Sequence, residues 1–343
     1  MREESREGSC EGSHDESREG SVEVTSVVRR RAERLGPVGE KWLAELPALI
    51  ADLERQWSVV VGPPLRAGAG GYVARARTES GRAAVLKLAL PEATGAGQIP
   101  TLLRAEGDGY VHVLRHDTDR FALLMEHLGE PLSELALTPE RQIAVLCATL
   151  RRAWRVPRSP GPAQSLGEDK ATGLAVLVEQ LWKELGRPCS GAAYDRAMAY
   201  AERRAAAHRP SRAVVVHGDP HPDNLLRVPT PRAGAESGFV FVDPDGFLAD
   251  PSYDLGVVLR DWCAELLAGD APRLARRYCA LLAEESGADA TAVWEWGYLE
   301  RVSTALYLFA HGAEAASRPY FETAEILADV GPPGPVPHGF RPA

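Results

Sequence analysis

"VVVHGDPHPDNLL", residues 214–226, sets the reading of the whole chain. Three valines make a short apolar run, and the residues after them include two histidines, two aspartates, two prolines and an asparagine. Pro220 and Pro222 carry no backbone N–H and push the residue before each away from helix, so a strand at 213–216 runs into a loop. Within that loop Asp219 and Asn224 stand at the D-x-x-x-x-N interval of a phosphotransferase catalytic loop. In such a loop the aspartate orients or deprotonates an attacking hydroxyl. After the loop has turned, the amide oxygen can hold a magnesium ion on nucleotide phosphates.

A second apolar strand, "GFVFVD" (238–243), delivers Asp243, a hard oxygen ligand suited to the same magnesium. Either aspartate alone would read as a turn or cap. Both together, on loops directly after apolar strands, point to phosphoryl transfer. Two rival readings use the same residues. A zinc hydrolase would take His217, His221 and Asp243, but an HxxxH pair shares one face only on a helix, which the prolines remove. The other is a plain Asp/Asn/Pro turn.

A nucleotide kinase also needs a grip on the triphosphate. "RAGAGGYVARA" (66–76) is a glycine-rich turn whose Gly68, Gly70 and Gly71 let backbone amides approach phosphate, and Lys87 lies in the apolar run "AVLKLAL" (84–90). A lysine in such a strand is costly to bury without a partner. The alternative for Lys87 is an exposed structural lysine.

Around these motifs the periodicity changes once. "EKWLAELPALIADLERQW" (40–57) repeats its apolar residues at three and four positions, an amphipathic helix. "WSVVVGPPL", "GYVARARTES" and "RAAVLKLAL" are short, β-rich and separated by Gly/Pro turns, as in an antiparallel meander. "YVHVLRHDTDRFALLMEHL" (110–128) adds two strands around a turn at Asp117–Arg120. Beyond Ser133 the pattern is helical, over 139–154, 172–186, 192–208, 252–268, 271–286, 290–312 and 319–329. The expected architecture is therefore α+β and bilobal. It divides into a disordered acidic tail (1–35), a helix plus nucleotide-binding sheet lobe (36–127), a larger helical catalytic and substrate lobe (128–330) and a C-terminal tail (331–343).

The tail expectation rests on "ESREGS", which occurs at 4–9 and again at 16–21 in a stretch with almost nothing to bury. The chain's 343 residues with 45% hydrophobic content suffice for two lobes. Its five cysteines are scattered and never in CxxC spacing, so they read as small buried hydrophobes. The net charge of -9 argues against a nucleic-acid partner and leaves room for a cationic small substrate, although much of it sits in the tail. No apolar run approaches the roughly 20 residues of a membrane span and no leader is evident, so the expectation is a cytoplasmic protein with no membrane partner.

On "HGDPHPDN" (217–224) and "FVDPDGFLADPSYDLG" (241–256), with "WLAELPALIADLERQW" (42–57) and "AAVLKLALPE" (83–92) in support, the chain resembles the aminoglycoside phosphotransferases. These have the protein-kinase-like fold, and the resemblance is to the streptomycin 6-kinase and hydroxyurea phosphotransferase branch. It implies an ATP- and Mg2+-dependent enzyme that phosphorylates a small-molecule hydroxyl, foremost a streptomycin-like antibiotic. The alternatives are a sugar, an amino alcohol or hydroxyurea as acceptor, or a nucleotide-binding pseudokinase without turnover. It makes Asp219 the base, Asn224 and Asp243 the metal ligands and Lys87 the α/β-phosphate contact, with backbone groups of Glu126, His127 and Leu128 meeting adenine. His217 and Asp250 would organise the loops, Asp250 by receiving catalytic-loop backbone or by capping the next helix; Asp254 would serve structure. Asp223, Asp261 and Glu265 are the candidate acceptor-site carboxylates, the last two placed four apart on one helical face. One departure stands out. Where relatives place a glutamate to pair the strand lysine, this chain offers Gln98, or Glu92 as a substitute.

Overall fold

A computed structural model describes residues 22–65, 70–91, 97–158 and 169–334. The small lobe is an antiparallel sheet of β1 (Val59–Pro64), β2 (Gly71–Thr78), β3 (Ala83–Ala89), β4 (Val113–Asp117) and β5 (Ala122–Glu126), in the order β1-β2-β3-β5-β4. Side-chain alternation gives this sheet two different faces. Ala84, Leu86 and Leu88 of β3 point to one side and are wholly buried. There they meet Leu46, Ile50 and Leu53 of α2 (Pro37–Trp57), the amphipathic helix expected from the sequence. Val85 and Lys87 point the other way, towards the second lobe.

Helix α1 (Ser26–Arg34) precedes α2 and corrects the expectation of a disordered tail through residue 35. Val28 and Ala32 are buried, and the Thr25 hydroxyl caps the helix by accepting from the Val28 N–H. These few apolar residues, spaced for one face, find a partner surface on α2 that the local composition does not reveal. Residues 1–21, with both "ESREGS" copies, lie outside the described residues.

After α3 (Gln98–Ala105) and the sheet, the large lobe is built from α4 (Pro139–Ala153), α5 (Lys170–Glu184), α6 (Gly191–Ala207), α7 (Ser252–Arg260), α8 (Cys263–Ala268), α9 (Ala271–Ser286), α10 (Ala290–Ala310) and α11 (Glu314–Leu327). Two short ribbons lie on it: β6 (Val214–Val216) with β9 (Phe247–Ala249), and β7 (Leu225–Arg227) with β8 (Phe239–Phe241). The Val111 N–H bonds the Phe241 carbonyl, and the Phe241 N–H bonds that of Gly109, which ties the lobes behind the connection. None of the described helices is long and apolar enough to cross a membrane.

The expected helix over 252–268 is two helices. The chain leaves α7 at Asp261 in an extended conformation, and Trp262 takes a left-handed φ of 56°. The strain is offset by burial of the indole, which meets the Tyr278 ring edge-on at 5.5 Å. The break removes the shared face assumed for Asp261 and Glu265. Asp261 ends one helix, and Glu265 sits exposed in the first turn of the next.

Helices α7 and α10 approach so closely that only glycine fits at their crossing. A Cβ on Gly256 would lie 2.3 Å from the Trp296 Cβ and 2.8 Å from the Gly297 N, and one on Gly297 would meet Leu259 Cδ2 at 2.9 Å. Gly256→Ala should therefore destabilise the protein by about 1–3 kcal/mol. A lower urea midpoint at unchanged slope is the check.

Candidate active site

The two motif loops are laced together by backbone. Leu225 pairs with Phe241 across the β7–β8 ribbon, and the Val242 N–H bonds the Asn224 carbonyl at 2.9 Å, so Asn224 and Asp243 leave the ribbon side by side. The Asp245 N–H bonds the His217 carbonyl at 2.7 Å. Within the first loop the Asn224 amide donates to the Asp219 carbonyl at 3.0 Å, which leaves its oxygen available outward. Asp243 itself is held at φ 58°, a left-handed conformation that costs a non-glycine residue roughly 1–3 kcal/mol and is typical of functional turns.

His217 is fully buried at the centre of this lacing. Its Nδ1 accepts the Asp219 N–H at 3.1 Å and its Nε2 faces the Val242 carbonyl at 2.9 Å, which fixes the neutral ring with the proton on Nε2. Burial accordingly lowers its pKa to about 4. With both nitrogens committed to backbone, His217 has no lone pair for a metal, and the zinc reading fails. Among the described residues no group of three or more His, Cys, Asp or Glu side chains is arranged to hold a metal ion. A magnesium site built from one carboxylate, one amide oxygen and nucleotide phosphates needs no such group, and the oxygens of Asp243 and Asn224 are the hard donors it prefers.

Asp254, on the first turn of α7, carries the loop. It is fully buried and accepts the N–H groups of His217 and Gly218, each at 2.9 Å, and the Trp154 indole N–H at 2.8 Å. Burial raises its pKa to about 6 against these three donors. Asp250 takes the lesser of its two expected roles. Its carboxylate accepts the Ser252 N–H at 2.8 Å and the Ser252 hydroxyl at the start of α7, and the loop-organising contacts belong to Asp254. Gly218 is required where it stands, since at φ 94° a Cβ would lie 2.7 Å from the Asp245 side chain.

Across the cleft Lys87 is only 5% exposed, and its Nζ lies 2.7 Å from Asp243 Oδ1. Gln98, on α3, donates to the same oxygen at 3.3 Å. The residue in the expected glutamate position thus addresses the aspartate, and the aspartate addresses the lysine. Glu92 and Gly68 lie outside the described residues. Gly70 borders the lysine, a Cβ there falling 4.0 Å from Nζ, whereas Gly71 packs where a Cβ would meet the Leu88 carbonyl at 2.2 Å. Behind these groups a cavity of about 700 Å³ runs between the lobes, walled by Val73, Val85, Met125, Leu128, Leu226 and Val242, with Lys87, Glu126, His127 and Asp243 on its margin. The Glu126 carboxylate is already engaged, by the His112 N–H at 2.8 Å and Arg232 at 2.6 Å.

Asp219 opens to solvent at the other end of the site, its side chain 41% exposed. Arg260 Nη2 holds its Oδ1 at 2.6 Å, and His221 Nε2 stands 3.4 Å from Oδ2. Burial works against both ionised groups, but their pairing prevails: the Asp219 carboxyl lies well below the usual range, and the His221 pKa rises to about 10. Asp223 receives the Ser133 hydroxyl and lies 3.5 Å from His221 Nδ1. Asp261 lies 3.5 Å from Arg260, its pKa raised by burial despite that cation.

With this geometry in place, a family model for aminoglycoside/hydroxyurea antibiotic resistance kinases matches residues 56–312. The chain belongs to that family. Over 295 residues the kinase is 27% identical to streptomycin 6-kinase of Streptomyces griseus, an alignment covering 85% of this chain and 92% of that one. Over 230 residues it is 30% identical to hydroxyurea phosphotransferase of Kitasatospora aureofaciens, covering 64% and 62%. Among solved structures, spectinomycin phosphotransferase in complex with ADP and spectinomycin superposes with a TM-score of 0.52 at 14% identity, covering 82% of this chain and 96% of that one. The choline kinase LicA of Streptococcus pneumoniae does so at 0.53 and 12%, covering 81% and 99%. These two share the fold.

Arg260 escapes the sequence reading, and Asp254 is expected there only to serve structure, without its loop contacts. Arg260, in the last turn of α7, reads as a cation complementing a helix C-terminus, and no spacing rule links it to Asp219. The structural role expected for Asp254 could have been sharpened, because an acid inside the apolar run "YDLGVVL" needs a buried partner. Asp254→Ala should leave the His217 and Gly218 N–H groups buried without acceptors, at roughly 1–3 kcal/mol each. A fall in melting temperature together with loss of transfer activity is the expected result.

Proposed function

We propose that the kinase transfers the γ-phosphoryl group of ATP to a hydroxyl of a cationic antibiotic of the streptomycin kind, with Asp219 orienting that hydroxyl and receiving its proton. The observation that carries this reading is the placement of Lys87 and Asp243 at one end of an apolar inter-lobe cavity and of Asp219 on the loop laced to Asp243. The cavity suits a purine against Val85, Met125 and Leu226, with His127 and Leu128 offering backbone groups, while Glu126, whose N–H serves the His112 carbonyl, contributes wall. Gly70, beside Lys87, borders the phosphates, and Gly71 serves the close packing of β2 on β3. Asn224 Oδ1 and the Asp243 carboxylate would hold Mg2+, which supplies charge neutralisation on the phosphates. Lys87, released from Asp243, would meet a phosphate oxygen. An alcohol needs no prior deprotonation in a loose transition state, so a weakly basic but well-placed Asp219 suffices.

The cationic acceptor is supported by the surroundings of Asp219. Asp223, Asp261 and Glu300 outnumber the two cations Arg260 and His221 on that side. The carboxylate of Asp223 faces water and is the one positioned to meet a guanidinium or ammonium group, whereas Glu265, though exposed, has no contact among the described residues that ties it to this side. The kinship with a hydroxyurea phosphotransferase puts that small acceptor in the same test.

Transfer of label from γ-labelled ATP to streptomycin, other aminoglycosides, choline, sugars and hydroxyurea tests the reading. Streptomycin should be labelled, and Asp219→Asn should lose about 10²–10⁴-fold in rate with ATP still bound. Nucleotide binding without labelling of any acceptor would instead favour a pseudokinase. Asn224→Ala should raise the magnesium concentration needed for half-maximal nucleotide affinity, read by titration at fixed ATP analogue.

A further inference from the structure

We infer that Arg260 is a positioning residue for phosphoryl transfer: its guanidinium fixes one oxygen of Asp219 so that the other is presented to the acceptor hydroxyl. The inference rests on the reading of Asp219 as the hydroxyl-orienting carboxylate, and it adds a residue to which neither the motif nor the spacing points.

The carboxylate of Asp219 stands on a loop and is 41% exposed, so left alone it would rotate among several orientations. Arg260 is only 14% exposed and lies among several acceptors. Its Nη1 lies 3.4 Å from Glu300 Oε2 and 3.5 Å from the Thr304 hydroxyl, its Nε 3.5 Å from Asp261 Oδ1, and its Nη2 2.6 Å from Asp219 Oδ1. Glu300 is itself fixed by the Tyr253 hydroxyl at 2.7 Å. The close crossing of α7 and α10 at Gly256 and Gly297 is what brings Glu300 and Thr304 to Arg260. A planar guanidinium buried among three further acceptors at 3.4–3.5 Å, with one short bond to Asp219, favours a single orientation of that carboxylate, which a flexible ammonium does not.

The second oxygen of Asp219 is differently placed. His221 stands 3.4 Å from it, against 2.6 Å from Arg260 to Oδ1, so the second oxygen is the less closely held of the two and the one an acceptor hydroxyl can reach. Arg260 thus trades basicity for orientation, which suits a transfer whose barrier is lowered chiefly by alignment of the attacking oxygen.

Arg260→Gln leaves Glu300 buried without its cation, so Arg260→Gln/Glu300→Gln, which removes both charges, is measured beside it, together with Arg260→Lys and Asp219→Asn. Rates are read with MgATP and the best acceptor of the panel, and with water as acceptor, so that a signal exists whichever acceptor is taken. Nucleotide affinity and melting temperature report the fold. The expected result is a kcat loss of about 10²-fold in both Gln variants with the KM for ATP within about threefold, and partial recovery, about tenfold, in Arg260→Lys. A kcat within threefold of the parent in Arg260→Gln/Glu300→Gln, while Asp219→Asn is inactive, would overturn the role of Arg260 alone. Full activity in Asp219→Asn overturns the reading of Asp219, and this one with it. Parallel falls in kcat, nucleotide affinity and melting temperature in both Gln variants would make Arg260 a structural residue and overturn the proposal.

Discussion

A single buried carboxylate, Asp254, decides where the loop that carries Asp219 lies. It has no exposure, and it accepts two consecutive N–H groups of the loop, from His217 and Gly218, as well as an indole N–H from α4. Two adjacent amides aimed at one carboxylate determine the direction of the chain through residues 217–218. Burying that charge opposes folding at neutral pH. The carboxyl titrates near pH 6, against 3.8 for an unhindered aspartate, so its favourable contribution is full below 3.8 and lost as the pH rises through about 6. The fold tolerates the cost because the three donors would otherwise be buried without acceptors.

From that anchor the rest of the site follows by backbone. His217 carries the constraint from Asp254 to the second loop through its Nε2–H to Val242 and its carbonyl to the Asp245 N–H. Val242 returns it to Asn224, and Asn224 to Asp219. Asp243 is therefore placed by its neighbours, which is how a non-glycine residue comes to rest at a positive φ. The same carboxylate then organises the opposite lobe, pairing with Lys87 and accepting from Gln98. In this chain the strand lysine is oriented from below, by Asp243, and the α3 side chain supports it at one remove.

The sequence made the order of parts legible because each depended on a local rule. Alternation in "AVLKLAL" put Lys87 on the face opposite Leu86 and Leu88, two prolines forbade a helix after Val216, and periodicity gave α2 and most of the large-lobe helices near their observed ends. What stayed hidden was set by tertiary contact. Helix α1 forms because α2 offers a surface to Val28 and Ala32. The helical pattern over 252–268 breaks at Trp262 because its indole has a pocket against Tyr278, and a periodic reading has no means to see that pocket. Arg260 lies next to the break, and its pairing with Asp219 spans 41 positions.

That break has a functional side. Had α7 continued, Asp261 and Glu265 would have formed an acidic stripe on one face. With the chain turned at Trp262, Asp261 instead folds back against Arg260, and Glu265 faces water. The acidic groups are thereby sorted into two kinds. Asp261 and Glu300 are spent on Arg260, inside the protein, where their charge fixes a guanidinium and is not available to a ligand. Asp223 and Glu265 remain at the surface, where a mobile cation can meet them with little desolvation. In the proposed function, recognition of a cationic acceptor and orientation of the attacking hydroxyl would thus draw on separate carboxylates.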